Sequence, residues 1–502
     1  IVSKHYMYLL GIDIGTSFIK VSLVEASTQQ CIVTVSYPDT ENAIISHQNG
    51  WAEQSPLMWW EQVQAGIVKL HQAAKLARPS YNANDISAIG IAYQMHGLVL
   101  VDKNKKVLRD SIIWCDSRAV PYGEKAFDTI GHEKCLSHLL NSPGNFTAAK
   151  LAWVKENEPA VYSQIHTIML PGDFIAMRLT GEITTSIAAL SEGIFWDFKN
   201  NRISKEVLDY FGFDESIFPA VQEVFSKHGE LSSTVANGLG LKAGIPVTYK
   251  AGDQPNNALS LNVVQPGEVA ATAGTSGVIY GVGNTLSYDM QSRVNSFAHV
   301  NHTSAENRIG MLLCINGTGI LNSWVKKYIG ANTNYNSINE MAATIAAGSD
   351  GLSILPFGNG AERIFNNKII GAQMLGIDLN KHTAAHIYKA AQEGIAFAFR
   401  YGLDIMRENN LQPSVIKAGQ ANLFLSPVFT HAFVNTTGVP VALYNVEGSV
   451  GAALGAGIGV GIYKELKDAF ADTKPIQRIE PTETKLYNAL YENWKDKLVK
   501  FI

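Results

Sequence analysis

From Leu9 to Val24 the chain reads LLGIDIGTSFIKVSLV, two β-rich apolar runs around a Gly-Thr-Ser turn, and this pattern predicts a hairpin. The layout returns as VAATAGTSGVIYGV, with Gly274-Thr275-Ser276 in the turn. Between and beyond the two copies, strand and helix signals alternate. Ser55-Pro56 opens a helix that runs to about Leu76, because Ser suits the cap and Pro the first helical position. Strands are predicted at Ala88 to Tyr93 and Leu98 to Asp102, a capped helix at Thr147 to Asn157, and another at Asp173 to Leu179 stopped by Gly181. A further strand, Ile245 to Ala251, runs straight into Gly252-Asp253. Alternation of this kind predicts an α/β fold. Two Gly-Thr-Ser hairpins about half the chain apart predict two related domains, residues 1–250 and 251–502, with a packed hinge at 248–256. The charged, aromatic-studded helix expected from Glu480 to Ile502 is free to pack back on the first of them.

Composition narrows the class. With 502 residues, 46% apolar and 17% charged, the chain has ample core and is not disordered. Lys plus Arg number 40 against 44 for Asp plus Glu, which gives no electrostatic case for nucleic acid or an acidic membrane surface. The four cysteines, Cys31, Cys115, Cys135 and Cys314, form no CxxC pair, and a cytoplasmic location is expected. Asp13 interrupts the only early apolar run, so no signal peptide is read, and Met7 is the expected natural start. The Gly-rich stretch Gly448 to Tyr463 is shorter than the ~20 residues a membrane span needs. Its GxxxG at Gly451 and Gly455 reads as a helix packed inside a domain.

No GxxxxGK[ST], strict GxGxxG or HExxH occurs, and the second Gly-Thr-Ser-Gly is not GxSxG. What remains is anion chemistry of another kind. Small residues in tight turns bare backbone N–H groups and add hydroxyl donors, so Gly15-Thr16-Ser17 and Gly274-Thr275 could grip a polyphosphate between them. Asp13, set in an apolar strand two residues before the first turn, is placed to hold a hydrated magnesium. Asp253 follows a strand end, where α/β sheets bind ligands; it reads equally as a proton acceptor in phosphoryl transfer and as a helix cap. Val415 to Gln420 ends another strand on a small-residue turn, with room for a flat base against the backbone.

These segments resemble the FGGY carbohydrate kinases, within the superfamily of actin, sugar kinases and heat-shock ATPases. The likeness runs from Met7 to about residue 465. LLGIDIGTSFIKVSLV is similar to the family's first phosphate motif, ATAGTSGVIYGV to its second, and VIKAGQAN with TGVPVAL to its adenosine motif. FTAAKLAWVKEN (146–157) and GAQMLGIDLNKHTAAHIYKAAQE (371–393) are similar to its two signatures. The resemblance implies two actin-like (ribonuclease H-like) domains with an interdomain cleft, and ATP and Mg2+ in the reaction. The sugar-side motifs GWAEQSPLMWW (50–60), IGIAYQMHGL (89–98), IIWCDSR (112–118) and SPGNFT (142–147) resemble those of members that phosphorylate D-xylulose.

By that resemblance Asp253 is the catalytic base and Asp13 the magnesium-associated acid, acting directly or through water. Thr16, Ser17 and Thr275, with Gly15 and Gly274, surround the phosphates, and Gly419, Gln420 and Asn422 take the adenosine. Met95 and His96 contact the sugar, with Gln94, Gln254 and Trp51 or Trp60 close by. Three departures stand out: Gln254 where such members carry Asn, Trp114-Cys115-Asp116-Ser117-Arg118 in place of Trp-Asn-Asp-Gly-Arg, and an adenosine turn of Ala418-Gly419-Gln420 with Val434-Asn435 downstream. The first two bear on the choice of sugar, for example ribulose, and the third on nucleotide grip. A nucleotide-switch ATPase would share the two-domain grip but has no need of a sugar pocket. The base rate for such folds favours a homodimer.

Overall fold

The structure is a computed structural model describing residues 7–331 and 333–502, so the stretch 1–6 ahead of Met7 lies outside the described residues. The first hairpin forms as its pattern dictates: Tyr8–Ile14 pairs antiparallel with Ile19–Glu25, which pairs with Cys31–Tyr37. On the other side of Tyr8–Ile14, Ile86–Tyr93 joins in parallel, and Val247–Gly252 follows it. The second sheet repeats this plan. Val269–Ala273 pairs antiparallel with Gly277–Gly283, which pairs with Ile309–Ile315, while Ile416–Gly419 and Val441–Tyr444 extend the sheet in parallel on the other side. Only the edge strands Asn295–Ala298 and Gln477–Ile479 are additions. The spatial order is the same in both halves, and the architecture is the α/β fold of two actin-like (ribonuclease H-like) domains flanking a cleft.

One face of the first sheet is covered by Pro56–Ala77, whose cap Ser55 accepts from the Met58 amide. The other face is covered by a helix from the far end of the chain, Gly448–Gly459. Contact there is backbone on backbone. A Cβ on Gly11 would stand 1.7 Å from the Ser449 carbonyl oxygen, and one on Gly90 1.9 Å from that of Ala452. The Gly-rich stretch is thus the packed helix its GxxxG spacing predicted, and no helix among the described residues is long and apolar enough to cross a membrane. The division at 250/251 falls inside the strand Val247–Gly252, which leads directly into the helix Asp253–Ser260.

The tail departs from expectation. Thr484–Leu498 packs on Pro427–Thr437 and Ala384–Glu408 in the second half, and does not reach the first. Its buried stripe of Tyr487, Tyr491, Trp494 and Leu498 meets open aromatic surface there, with Trp494 centred 5.9 Å from Phe397 and its indole N–H donating to the Ile354 carbonyl at 2.9 Å.

Candidate active site

The first Gly-Thr-Ser turn is closed by the Gly15 amide donating to the Phe18 carbonyl at 3.0 Å. Thr16 is held from three directions. Its hydroxyl donates to Gln94 Oε1 (3.2 Å) and accepts from the Trp114 indole (3.0 Å), and its carbonyl accepts from Gln54 Nε2 (2.9 Å). Gln94 also donates to Gln54 Oε1 at 3.1 Å. Both ends of its amide are therefore engaged, and Gln94, expected at the sugar, braces the first turn. Ser17 accepts the Asn42 amide through its carbonyl.

In the second half, Val269–Ala273 and Ile416–Gly419 are parallel neighbours, so their carboxyl-terminal turns lie side by side. Gly274 faces Asn422, whose Nδ2 is 3.6 Å from where a Cβ on Gly274 would sit. Asn422 has φ +54°, a left-handed conformation that Asn tolerates. Gly419 and Gln420 complete this turn, with the Gln420 amide bonded to the Tyr444 carbonyl. Thr275 is exposed, its carbonyl accepting from the Ile320 amide. The turns expected at phosphate and adenosine are thus adjacent.

Between the halves lie the two acids. Asp13 sits opposite Lys20 in the hairpin, and Lys20 pairs with Glu447 at 2.8 Å. Burial pushes the Asp13 carboxyl up to about 6, against the pull of Lys20. Asp253 opens the helix Asp253–Ser260; burial and the negative charge of Asp13 push it up to about 7. Gln254 follows, half-buried in the same helical turn. Gly252 holds the N-cap position, while the Asp253 carboxylate takes hydrogen bonds from the backbone N–H groups of Gln254 and of Asp253 itself, which pull against the rise.

Around Asp253 the first half builds a polar pocket on apolar walls. Met95 packs against Gly252, its Cγ 2.6 Å from where a Cβ on that glycine would be. His96 has φ +63°, strained for a residue with a side chain. Its backbone is pinned on both sides: its N–H donates to Glu192 Oε2 (2.9 Å), and its carbonyl accepts from Lys150 Nζ (2.8 Å) and Thr147 Oγ1 (3.2 Å). Thr147 spends its hydroxyl here; the N-cap of its helix is Phe146, which has no side-chain bond, so the expected capped helix starts without one. The imidazole packs edge-on against Phe146 (4.8 Å) and beside Phe297 of the second half (5.4 Å). Burial, then the charges of Lys150 and Arg363, hold the ring down to about 3. It is neutral, so its approach to the Glu192 carboxyl is not an ion pair. Nδ1 lies 3.0 Å from the Glu192 carbonyl, which takes its proton and leaves Nε2 as an acceptor.

Glu192 was not singled out by the sequence. It is 2% exposed, accepts from the Tyr93 hydroxyl at 2.7 Å, and is pushed up to about 8 by burial, with Asp253 adding to the rise. Its signal was available: a lone acid in the apolar run IAALSEGIF, the same anomaly that marked Asp13. Lys150, also missed, is fully buried and held down to about 7 by burial. Trp51 is partly buried, its ring stacked under the Arg118 guanidinium at 3.8 Å; Asp116 fixes both by bonding Arg118 and the Ala52 amide. Trp60 belongs to the core of the first sheet.

Two like-ordered sheets facing across a cleft, each with a Gly-Thr-Ser turn, and buried acids between them, define a two-domain phosphotransferase. The models for the N-terminal and C-terminal domains of the FGGY family of carbohydrate kinases match residues 8–260 and 269–460. The chain belongs to the FGGY family of carbohydrate kinases. The xylulose kinase of Bacillus subtilis (strain 168) is 27% identical over 507 residues, covering 97% of this chain and 97% of that one. The crystal structure of xylulose kinase from Rhodospirillum rubrum superposes with a TM-score of 0.87 at 25% identity, covering 98% of each chain. Plasmodium falciparum glycerol kinase with ADP shares the fold, with a TM-score of 0.88 at 18% identity over 99% of this chain and 98% of that one.

Proposed function

We propose that the protein transfers the γ-phosphoryl group of ATP to the 5-hydroxyl of D-xylulose, giving D-xylulose 5-phosphate. The observation that carries this reading is the gathering of Met95 and Glu192, the acid that holds His96, around Gly252 immediately before Asp253, in a chain whose full-length relatives are named xylulose kinases. Asp253 accepts the hydroxyl proton. A carboxyl at about 7 is suited to that task near neutral pH, where acceptance and ionisation balance. His96 accepts a hydrogen bond from a sugar hydroxyl at Nε2, with Met95 as the apolar wall and Gln254 and Trp51 at the margin. The turns at Gly15, Thr16 and Ser17 and at Gly274 and Thr275 hold the phosphates; Gly419, Gln420 and Asn422 hold the adenosine. Glu192, Thr147 and Lys150 keep His96 in its strained conformation.

Magnesium fits the residues present. Asp13 offers a hard oxygen donor, and Glu447 adds negative charge beside it. Asp13 would hold the ion, directly or through water; when bound, it neutralises charge on the phosphates. The four free thiols suit the reducing cytoplasm.

The test is a coupled ADP-release assay over D-xylulose, D-ribulose, L-ribulose, L-xylulose, glycerol and gluconate, with a no-sugar blank. Selective stimulation by D-xylulose supports the reading. Preference for another sugar moves the substrate and turns attention to Gln254 and Cys115; release equal to the blank throughout overturns it.

A further inference from the structure

Among the described residues, Arg363 is a cation that meets no carboxylate. It comes from the second half, at the start of the short turn Arg363–Phe365, and its side chain has one protein acceptor among the described residues, Oδ1 of Asn295. Arg109, Arg118 and Arg293 each meet a carboxylate; none of the described carboxylates meets Arg363. Guanidinium presents five donors in a fixed fork, and removing it from water without a partner is unfavourable. Most of that fork is left for a ligand.

The surroundings say where that ligand lies. The Arg363 guanidinium is 5.9 Å from the centre of Phe146, the ring that packs on His96, and its charge bears on His96. Arg363 therefore stands at the His96 end of the pocket. Its platform, the edge strand Asn295–Ala298, is docked on the first half: Asn141 exchanges two hydrogen bonds with the Ser296 backbone, and the Ala298 amide donates to Ser191 Oγ at 2.9 Å, one residue from Glu192.

The preceding residue turns the other way. Glu362 accepts the amides of Asn316 and Gly317, both at 3.0 Å. The same loop continues to Gly319 and Ile320, whose amides bond the carbonyls of Gly274 and Thr275. Two consecutive side chains thus brace the loop that holds the second phosphate turn and overhang the His96 pocket.

We infer that Arg363 is a sugar-specificity residue contributed by the second half, donating to the oxygens at the C1–C2 end of the ketose, opposite the hydroxyl that faces Asp253. This rests on the ketose reading above. Through Glu362 the same segment ties sugar occupancy to the placement of the second phosphate turn.

The test compares wild type, Arg363→Ala and Arg363→Lys on D-xylulose and on 1-deoxy-D-xylulose, which lacks the C1 hydroxyl. Arg363→Ala is expected to raise the KM for D-xylulose roughly 10- to 100-fold, the effect of losing a charge-assisted hydrogen bond, with the KM for ATP changed less than about 2-fold. Wild type should discriminate against the 1-deoxy sugar, and Arg363→Ala should treat the two sugars alike. Arg363→Lys, which keeps the charge and loses the fork, should fall between; it carries the test alone if the alanine variant does not fold. An unchanged sugar KM, or equal rises in both KM values with discrimination against the 1-deoxy sugar intact, overturns the inference. A wild type inactive on D-xylulose overturns the substrate reading instead, and the same comparison on the ketose it accepts and its 1-deoxy form then decides Arg363.

Discussion

Gly448 is pressed against the carboxylate of Asp13: a Cβ on the glycine would stand 2.4 Å from Oδ2. An acid on the first strand is thus walled by the opening residue of a helix more than four hundred positions later in the chain. Gly448→Ala should displace the carboxylate. Turnover is expected to fall roughly 10- to 100-fold, the order of loss that an ångström of misplacement produces, with a higher Mg2+ requirement and an unchanged melting temperature. Steady-state kinetics across a Mg2+ titration, with a thermal melt alongside, checks this.

Asp253→Asn keeps the shape of the side chain and removes its basicity. A positioned base contributes about 10²- to 10⁴-fold to rate, and kcat should fall by that order while the KM for ATP and the melting curve stay near wild type. A variant with near-normal kcat would remove Asp253 from the proton transfer.

His96→Ala deletes the Nε2 acceptor. The KM for sugar should rise by at least about 10-fold, well beyond any change in the KM for ATP, as initial rates under crossed substrate concentrations will read. Equal effects on both would make His96 a packing residue.

Glycines separate cleanly by what surrounds them. Gly11→Ala drives a methyl into the Ser449 carbonyl at 1.7 Å, and the docking of Gly448–Gly459 on the first sheet should fail or lose about 3 kcal/mol or more. Gly238 lies in the helix Ser233–Leu239 with nothing within 4 Å of the added methyl. Gly238→Ala should stabilise by about 0.5–1 kcal/mol. Chemical denaturation of the two variants beside wild type tests both signs.

His299 is buried, and burial holds its ring down to about 3. The folded state leaves it neutral where the unfolded chain takes a proton, so its contribution is whole above about 6.5 and drains away as pH falls toward 3. His299→Gln removes that proton uptake. Relative to the variant, wild type should lose up to about 1.4 kcal/mol per pH unit below pH 6. Melting temperatures at pH 7, 6 and 5 that run parallel in the two proteins would contradict it.

What could be read from the sequence was what neighbours in the chain decide. The hairpins announced themselves by turn chemistry, and the helix Pro56–Ala77 by Ser55 and Pro56. Asp13 could be found because a carboxylate in an apolar strand is locally anomalous. Arg363 could not: GAERIF is an unremarkable turn until the fold lays it over Phe146. The tail helix shows why packing partners are harder still. Its stripe of Tyr487, Tyr491 and Trp494 says that it must be buried, but not against which half, since the partners Phe397 and Ile354 lie far from it in the chain. Gln94 shows a link the sequence does not spell out: a polar residue in a sugar-side motif holds Thr16 of the first phosphate turn.

The helix Gly448–Gly459 also sets a timetable. Strands Tyr8–Ile14 and Ile86–Tyr93 leave the ribosome early, yet the backbone that seals their inner face is translated close to the end of the chain. At roughly 5–20 residues per second that face stays uncovered for tens of seconds. A nascent chain halted before residue 448 would therefore hold one half that is complete in sequence but open on one side, a natural client for a chaperone and a poor candidate for expression alone.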